Sequence, residues 1–212
     1  MLNPEKKSYI ERARRVLFKP ETFFRRLKSG DIHETVYYIS TLYFLSIFLS
    51  FIVGGVPSPI GDVKELVLAT AASVLFVLLF LLIMAAIVNI VSKAMDGKGN
   101  LNLTFKSLAY AETGNIVGSF FYTIPFLLAV VVAMQALEGV VGFLYSSLMI
   151  LTIFGALIAA LGAFYSIYLG IIGISKVQKL TVGKAFVAWL FGGVGLVGIL
   201  AAWIGILWPI MA

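Results

Sequence analysis

The stretch Leu66–Ser92, LVLATAASVLFVLLFLLIMAAIVNIVS, decides the fold class of this chain. It contains no ionisable side chain, and it is longer than the roughly 20 residues that a helix needs to cross a hydrocarbon core of about 30 Å. Four further apolar stretches lie on either side of it, and together they predict an all-α, polytopic membrane protein with a five-helix transmembrane bundle. The five stretches are about Val36–Val56, Leu66–Ser92, Ile116–Gln135, Phe143–Ile174 and Ala185–Leu207.

The basic residues are concentrated in alternate gaps between these stretches. Nine precede the first stretch, and the second and fourth gaps hold three each. The first gap holds only Lys64, and the third gap and the segment after Trp208 hold none. Cytoplasmic loops collect Lys and Arg because these cations are translocated poorly. The alternation therefore predicts five spans, with the N-terminus in the cytoplasm and the C-terminus outside.

The composition excludes several functional classes. With 61% hydrophobic and 12% charged residues, the chain is not a soluble domain. The bias of cations toward one side of the membrane accounts for the net charge of +6, so we expect no nucleic-acid partner. The chain has no Cys and only one His, His33, which removes disulfides, zinc-thiolate sites and clusters of His. We therefore expect no enzyme, no cofactor and no metal.

Residues 1–35 are predicted to form a cytoplasmic basic arm, and residues 36–212 the five-span domain. Apolar residues recur at helical spacing between Tyr9 and Leu17, and Pro20 suits the first turn of a second short helix. Basic amphipathic helices of this kind lie along the inner leaflet, with cations at anionic headgroups. A solvated charged arm is the alternative. The predicted lipid-binding residues are Arg12, Arg14, Arg15, Phe23, Phe24, Arg25 and Arg26.

Ionisable groups within a span are costly and often functional, and the chain has few such candidates. Asn89 and Lys93 lie one helical turn apart near the inner end of the second span, and Glu112 and Asn115 lie near the inner start of the third. If these ends adjoin, the four residues form a polar pocket at the cytoplasmic mouth. The alternative is structural, because a helix N-terminus favours a carboxylate and Lys93 can extend to the headgroups.

Small residues recur at intervals of four in the later spans, a spacing that lets helix backbones approach closely. We expect these positions to pack the bundle, and the alternative is a face for a second copy of the chain or another membrane protein. The sets are Gly114/Gly118, Gly155/Ala159/Ala163, Gly162/Ser166/Gly170 and Gly198/Ala202.

Local signals predict several helix ends. Asp96–Asn100 is a strong turn signal, Thr104 suits the cap of the next helix, and Thr181 suits the cap of the last span. The fourth stretch would be about 48 Å long as a helix. It must therefore tilt, break near Gly155 or Gly162, or begin at the outer surface.

Three segments carry a family resemblance. LFKPETFF at Leu17–Phe24 precedes the first span, and FKSLAYAE at Phe105–Glu112 opens the third. LGIIGIS at Leu169–Ser175 ends the fourth span, and TVGKA at Thr181–Ala185 follows it. In this order, over about residues 15–205, the segments resemble the Yip domain family of Ypt- or Rab-interacting membrane proteins. Thr113-Gly114-Asn115 stands where the family often has Pro.

The resemblance implies a five-helix bundle with a cytosolic N-terminus. Eukaryotic members of the family are tied to Rab GTPases and membrane traffic, but the short arm of this chain is more similar to the bacterial and archaeal branch. We therefore expect a multi-pass protein of a prokaryotic inner or plasma membrane, without Rab binding. The predicted function is a non-enzymatic scaffold that organises anionic lipids or recruits a partner. The alternative is a small-solute or ion transporter or channel that uses the polar pocket.

Overall fold

The computed structural model describes residues 8–29, 31–53, 63–135 and 142–211. These residues form eight helices and no strand, which confirms the all-α prediction. The helices are α1 (Tyr9–Phe18), α2 (Pro20–Arg25), α3 (His33–Val53), α4 (Val63–Ala94), α5 (Leu101–Ala111), α6 (Thr113–Gln135), α7 (Gly142–Gln178) and α8 (Val182–Met211).

The five long helices α3, α4, α6, α7 and α8 coincide with the five apolar stretches. Within the described residues, three segments are long and apolar enough to cross a membrane. The end of the first predicted stretch, after Val53, and the first seven residues of the arm lie outside the described residues. The three segments are Lys64–Ala94, Met149–Gln178 and Val182–Ile199.

α7 is continuous over Gly142–Gln178, so a break near Gly155 or Gly162 is excluded. Its 37 residues extend for about 56 Å at 1.5 Å per residue. This length exceeds a hydrocarbon core of about 30 Å. α7 must therefore tilt in the bilayer or begin outside the hydrocarbon core.

The turn after α4 is confirmed, but the predicted cap of the next helix is wrong. Asp96 has a positive φ of 68°, and the Gly97 N–H donates to the Ser92 carbonyl at 2.8 Å. α5 begins three residues before Thr104, because Asn100 Oδ1 accepts the Leu103 N–H at 2.9 Å. Asn is a stronger N-cap than Thr. The other predicted cap, Thr181, accepts the Lys184 N–H at 3.4 Å.

The helices group into two compact units. The first unit contains residues 1–36, 77–111 and 168–212, and the second contains residues 37–76 and 112–167. The arm helices α1 and α2 therefore belong to one compact unit with α5 and α8, and α6 belongs to the second unit.

In the second unit, α6 and α7 approach closely at small residues. A Cβ on Gly162 would lie 2.7 Å from the Gly114 carbonyl oxygen and 2.8 Å from Gly118 Cα. A Cβ on Gly114 would lie 3.2 Å from the Ser166 backbone nitrogen. At these distances real side chains do not fit without movement of the backbone, so the contact depends on the absence of side chains.

In the first unit, the predicted packing glycines Gly170 and Gly198 have different surroundings. A Cβ on Gly170 would lie 3.2 Å from Trp189 Nε1, so this glycine is where α7 meets α8. At Gly198, no atom of the described residues lies within 4 Å of the Cβ position. Gly198 thus packs against no described part of the chain.

Candidate functional site

α2 is fixed to the first unit by its two phenylalanines. Phe23 is 3% exposed and Phe24 is 1% exposed. The Phe23 ring stands edge-on to Tyr110 of α5 with 4.9 Å between centroids. A Cβ on Gly173 of α7 would lie 3.2 Å from Phe24 Cε1. Both rings lie inside the protein, so the prediction that they insert into lipid is wrong: the apolar face exists, but protein covers it.

α1 is joined to the start of α3 by Arg12, which is 6% exposed. Its guanidinium donates to Glu34 Oε2 at 2.7 Å and to the Glu34 carbonyl oxygen at 3.3 Å. Val16, one turn further along α1, is fully buried. Arg12 therefore faces the protein instead of the headgroups predicted for it, because a carboxylate within the unit satisfies its charge.

A salt bridge and two hydrogen bonds join the rest of the arm to the same unit. Lys176 Nζ of α7 lies 3.1 Å from Glu21 Oε2 of α2. The buried Lys106 of α5 donates to the Lys28 carbonyl oxygen at 3.3 Å. Asn100 Nδ2 donates to the Ser29 hydroxyl. Contacts at both ends of α2 therefore hold the arm in one position.

The fully buried Gln178 connects four segments of the first unit. Its Nε2 donates to Asn89 Oδ1 of α4 at 3.0 Å and to Thr104 Oγ1 of α5 at 2.7 Å. Its Oε1 accepts the Gly99 N–H at 2.9 Å, and its carbonyl oxygen accepts the Lys98 N–H at 2.8 Å. Buried polar groups of this kind are costly unless they are fully bonded, so the network fixes the end of α7 to the turn before α5.

Sequence reasoning missed Gln178. The available signal was a single amide at the end of a long apolar stretch, since such a group needs partners once it is buried. Asn89, by contrast, was assigned to the polar pocket, and its Oδ1 accepts a hydrogen bond from Gln178.

The four predicted pocket residues fall in different units. Asn89 and the exposed Lys93 belong to the first unit, and Glu112 and Asn115 belong to the second. Within the second unit, Glu112 Oε2 accepts hydrogen bonds from the Tyr43 hydroxyl at 2.8 Å and from Asn115 Nδ2 at 3.2 Å. One pocket built from all four residues stays a prediction.

We call Glu112, Tyr43 and Asn115 the Glu112 cluster. Two further polar pairs join α3 to α6 beside it. The hydroxyls of Tyr38 and Thr113 are 3.1 Å apart, and those of Ser46 and Ser119 are also 3.1 Å apart. These pairs satisfy polar groups that would otherwise face an apolar interior. The hydroxyl groups near the Glu112 carboxylate are therefore hydrogen-bonded to one another.

The arm of the first unit carries cations that stay exposed outside the buried contacts, and we call these exposed cations the basic face. The described residues of this unit include 13 Lys and Arg, seven of them in the arm, against five Asp and Glu. This excess gives the face a strongly positive field. The exposed cations of the arm are Arg14, Lys19, Arg25, Arg26 and Lys28.

A groove of about 630 Å³ lies between α1 and α2 within the basic arm. Four of its lining side chains are basic and one is acidic. We call it the arm groove, and its lining residues are Glu11, Arg14, Arg15, Phe18, Lys19, Thr22, Phe23 and Arg26. Among the described residues, no three His, Cys, Asp or Glu side chains are placed to hold a metal ion.

These features define a helical membrane protein with a basic face held by buried contacts. The sequence profile of the Yip1 domain matches residues 14–204, which is most of the chain. The chain therefore belongs to the Yip1 domain family, as the three segments indicated. No curated protein and no solved structure matches the chain.

Proposed function

We propose that this chain is a non-enzymatic, five-span scaffold that gathers anionic lipids at the inner leaflet of a prokaryotic cell membrane. Its N-terminus lies in the cytoplasm and its C-terminus outside. The observation that carries the proposal is the basic face, in which an arm fixed by buried side chains leaves its other cations exposed.

The excess of cations suits an anionic bilayer surface. Each Lys or Arg near such a surface contributes about 1 kcal/mol of attraction. The first unit has 13 cations among its described residues, of which Arg12 and Lys106 are buried, whereas the second unit has one, Lys64. Anionic lipids are therefore expected to collect around the first unit.

The fixed position of the arm supports a scaffold. Phe23, Phe24 and Arg12 hold the arm through contacts with protein. A surface that is already ordered loses little conformational entropy when it binds, and so it retains more of its attraction. The same surface can recruit an acidic segment of a partner protein, as a scaffold requires.

The full chain in bilayers provides the functional test. The chain would be reconstituted with spin-labelled phosphatidylglycerol or phosphatidylcholine, and the immobilised fraction of each lipid measured. We expect a preference for phosphatidylglycerol that declines as salt shortens the screening length from about 10 Å at 0.1 M to about 3 Å at 1 M. Equal immobilisation of the two lipids at low salt would contradict the proposal.

The proposed topology has its own test. The chain contains no Cys, so single cysteines report unambiguously. In intact cells, a membrane-impermeant maleimide should label Lys64→Cys directly, and Lys98→Cys only after permeabilisation. Both positions are exposed. The opposite pattern would reverse the proposed orientation.

A transporter is a second candidate, and the Glu112 cluster is the observation that favours it. A carboxylate that accepts bonds from Tyr43 and Asn115 near the start of α6 can act as a polar site for a cation or a small solute. The test is flux into liposomes, with Glu112→Gln compared with the exposed acid variant Glu65→Gln. A flux that only Glu112→Gln abolishes would favour transport, and the absence of flux in the wild type would exclude it.

A further inference from the structure

α1 has an exposed stripe in which a cation lies between two large apolar side chains. Ile10, Arg14 and Phe18 are spaced by four residues, so they lie on one side of the helix. Ile10 is 83% exposed and Phe18 is 76% exposed. The side of α1 that faces the protein contains Arg12 and Val16 instead. Large apolar groups so exposed beside cations are typical of a surface that contacts lipid.

The arm groove lies beside this stripe and shares Arg14 and Phe18 with it. Its only acid, Glu11, accepts hydrogen bonds from Arg15 at 2.9 and 3.2 Å and is thereby neutralised. Arg14, Lys19 and Arg26 have no acidic partner among the described residues. An anion that enters the groove thus meets cations that no carboxylate of the described chain has paired.

The walls of the groove are fixed. Phe23 lines the groove and packs edge-on against Tyr110. At the junction of α1 and α2, the Lys19 N–H donates to the Arg15 carbonyl at 2.9 Å, and the Phe23 N–H donates to the Lys19 carbonyl at 3.0 Å. The cations therefore stand on a backbone that is already ordered, which favours a specific site over diffuse attraction.

We propose that the arm groove binds the phosphate-bearing headgroup of one anionic phospholipid, with Ile10 and Phe18 in the acyl boundary beside it. This inference rests on the proposed function, since it names the lipid class and the site within the basic face. The groove volume of about 630 Å³ is within the range of small-molecule sites. Arginine forks match phosphate oxygens in geometry and charge.

The apolar residues of the stripe select the lipid over a soluble phosphate. A free phosphate would bind the cations but would leave Ile10 and Phe18 in water. A phospholipid places its acyl chains where these two side chains can contact them, so both parts of the stripe gain from the same ligand.

The test compares two variants of the full chain that remove the same charge. Arg14→Gln with Lys19→Gln alters the groove, and Lys98→Gln with Lys179→Gln removes two cations from exposed positions outside the groove and outside the arm. Binding of short-chain phosphatidylglycerol to the chain in micelles would be titrated, with short-chain phosphatidylcholine and inorganic phosphate as further probes. Circular dichroism would establish that both variants are folded.

We expect saturable binding of phosphatidylglycerol to weaken about tenfold in the groove variant and less than about twofold in the control. Phe18→Ser should also weaken it. Equal losses in the two variants would overturn the groove but leave the basic face as a diffuse attractor of anionic lipid. Wild-type binding without preference for phosphatidylglycerol over phosphatidylcholine would overturn the proposed function as well. Inorganic phosphate that binds as tightly as the lipid, with Phe18→Ser unchanged, would overturn the choice of a lipid.

Discussion

In the first unit, Gln178 joins four segments through hydrogen bonds and Arg12 pairs with Glu34, whereas in the second unit α6 and α7 meet at glycines. The first unit has 13 cations and five acids among its described residues. The second has one cation, Lys64, and two acids. Buried polar side chains thus join the segments of the first unit, whereas close backbone contact joins α6 to α7 in the second unit, where polar pairs also join α3 to α6.

This difference separates two requirements. A charged surface needs side chains that are held in place without being neutralised, and the first unit meets this need by pairing Arg12 while Arg14 and Arg26 stay exposed. Helices in an apolar solvent lack a hydrophobic driving force for association and depend on van der Waals contact, which small residues permit. Substitutions should therefore act through different mechanisms in the two units.

The largest effect is expected in the first unit, from Phe24→Ala. The ring is 1% exposed and lies against Gly173, so its loss leaves a cavity that costs about 3–5 kcal/mol. Hydrogen exchange should show a loosened arm, and the unfolding temperature should fall. The matched variant Phe18→Ala, at a residue that is 76% exposed, should leave both unchanged. Similar behaviour of the two variants would contradict the placement of Phe24 in the protein interior.

The second unit should be most sensitive at Gly162. Gly162→Leu forces atoms against the Gly114 carbonyl and Gly118 Cα, and overpacking of this kind costs about 1–3 kcal/mol. The control is Gly198→Leu, at a position with no described atom within 4 Å of its Cβ. Thermal unfolding in nanodiscs would compare them. A larger loss at Gly198 would show that α8 is covered by a partner at that position.

Tyr43→Phe probes the polar cluster of the second unit. It removes the hydroxyl that donates to Glu112 Oε2 at 2.8 Å, and a hydrogen bond to a charged group contributes about 1.5–3 kcal/mol. Tyr37→Phe, at an exposed tyrosine of the same helix, should have no effect on the free energy of unfolding. If the two variants are equally stable, the cluster contributes nothing to the fold.

The smallest effect is expected from Glu21→Gln, which breaks the salt bridge to Lys176. Both side chains retain solvent exposure, so the pair contributes at most about 1 kcal/mol. The difference in stability from the wild type should shrink as salt is added. Asp96→Asn, which alters a fully exposed acid 3.9 Å from Lys184, should show no measurable change. A loss at Glu21 that is independent of salt would indicate a packing role instead.

Much of the fold could be predicted because long apolar stretches have few alternatives. The helices α4, α7 and α8 extend beyond the stretches predicted for them but occupy the same places in the chain. The turn at Asp96–Asn100 was also predictable, because Gly and Asn favour turns locally. These features depend on neighbours in the sequence.

The placement of the arm could not be predicted, because periodicity identifies an apolar face without identifying what covers it. Phe23 and Phe24 are equally suited to lipid and to the surface of α5 and α7, and the structure assigns them to protein. Arg12 looked like a headgroup ligand because its partner Glu34 is 22 residues away. The arm groove likewise requires the relative position of α1 and α2, which no local pattern contains.

The position of the arm on the first unit is the central claim, and a cross-link between α2 and α7 tests it most directly. The chain has no Cys, so Glu21→Cys with Lys176→Cys introduces the only pair of thiols. The terminal atoms of the native side chains at these positions lie 3.1 Å apart, so a short bismaleimide can join the two cysteines without the close Cα approach that a disulfide needs. Treatment of the double variant with the bismaleimide in membranes without anionic lipid should give a rapid intramolecular cross-link, which the single variants cannot form. Failure to cross-link under those conditions would show that the arm is not held against α7, and the account of the basic face would be wrong.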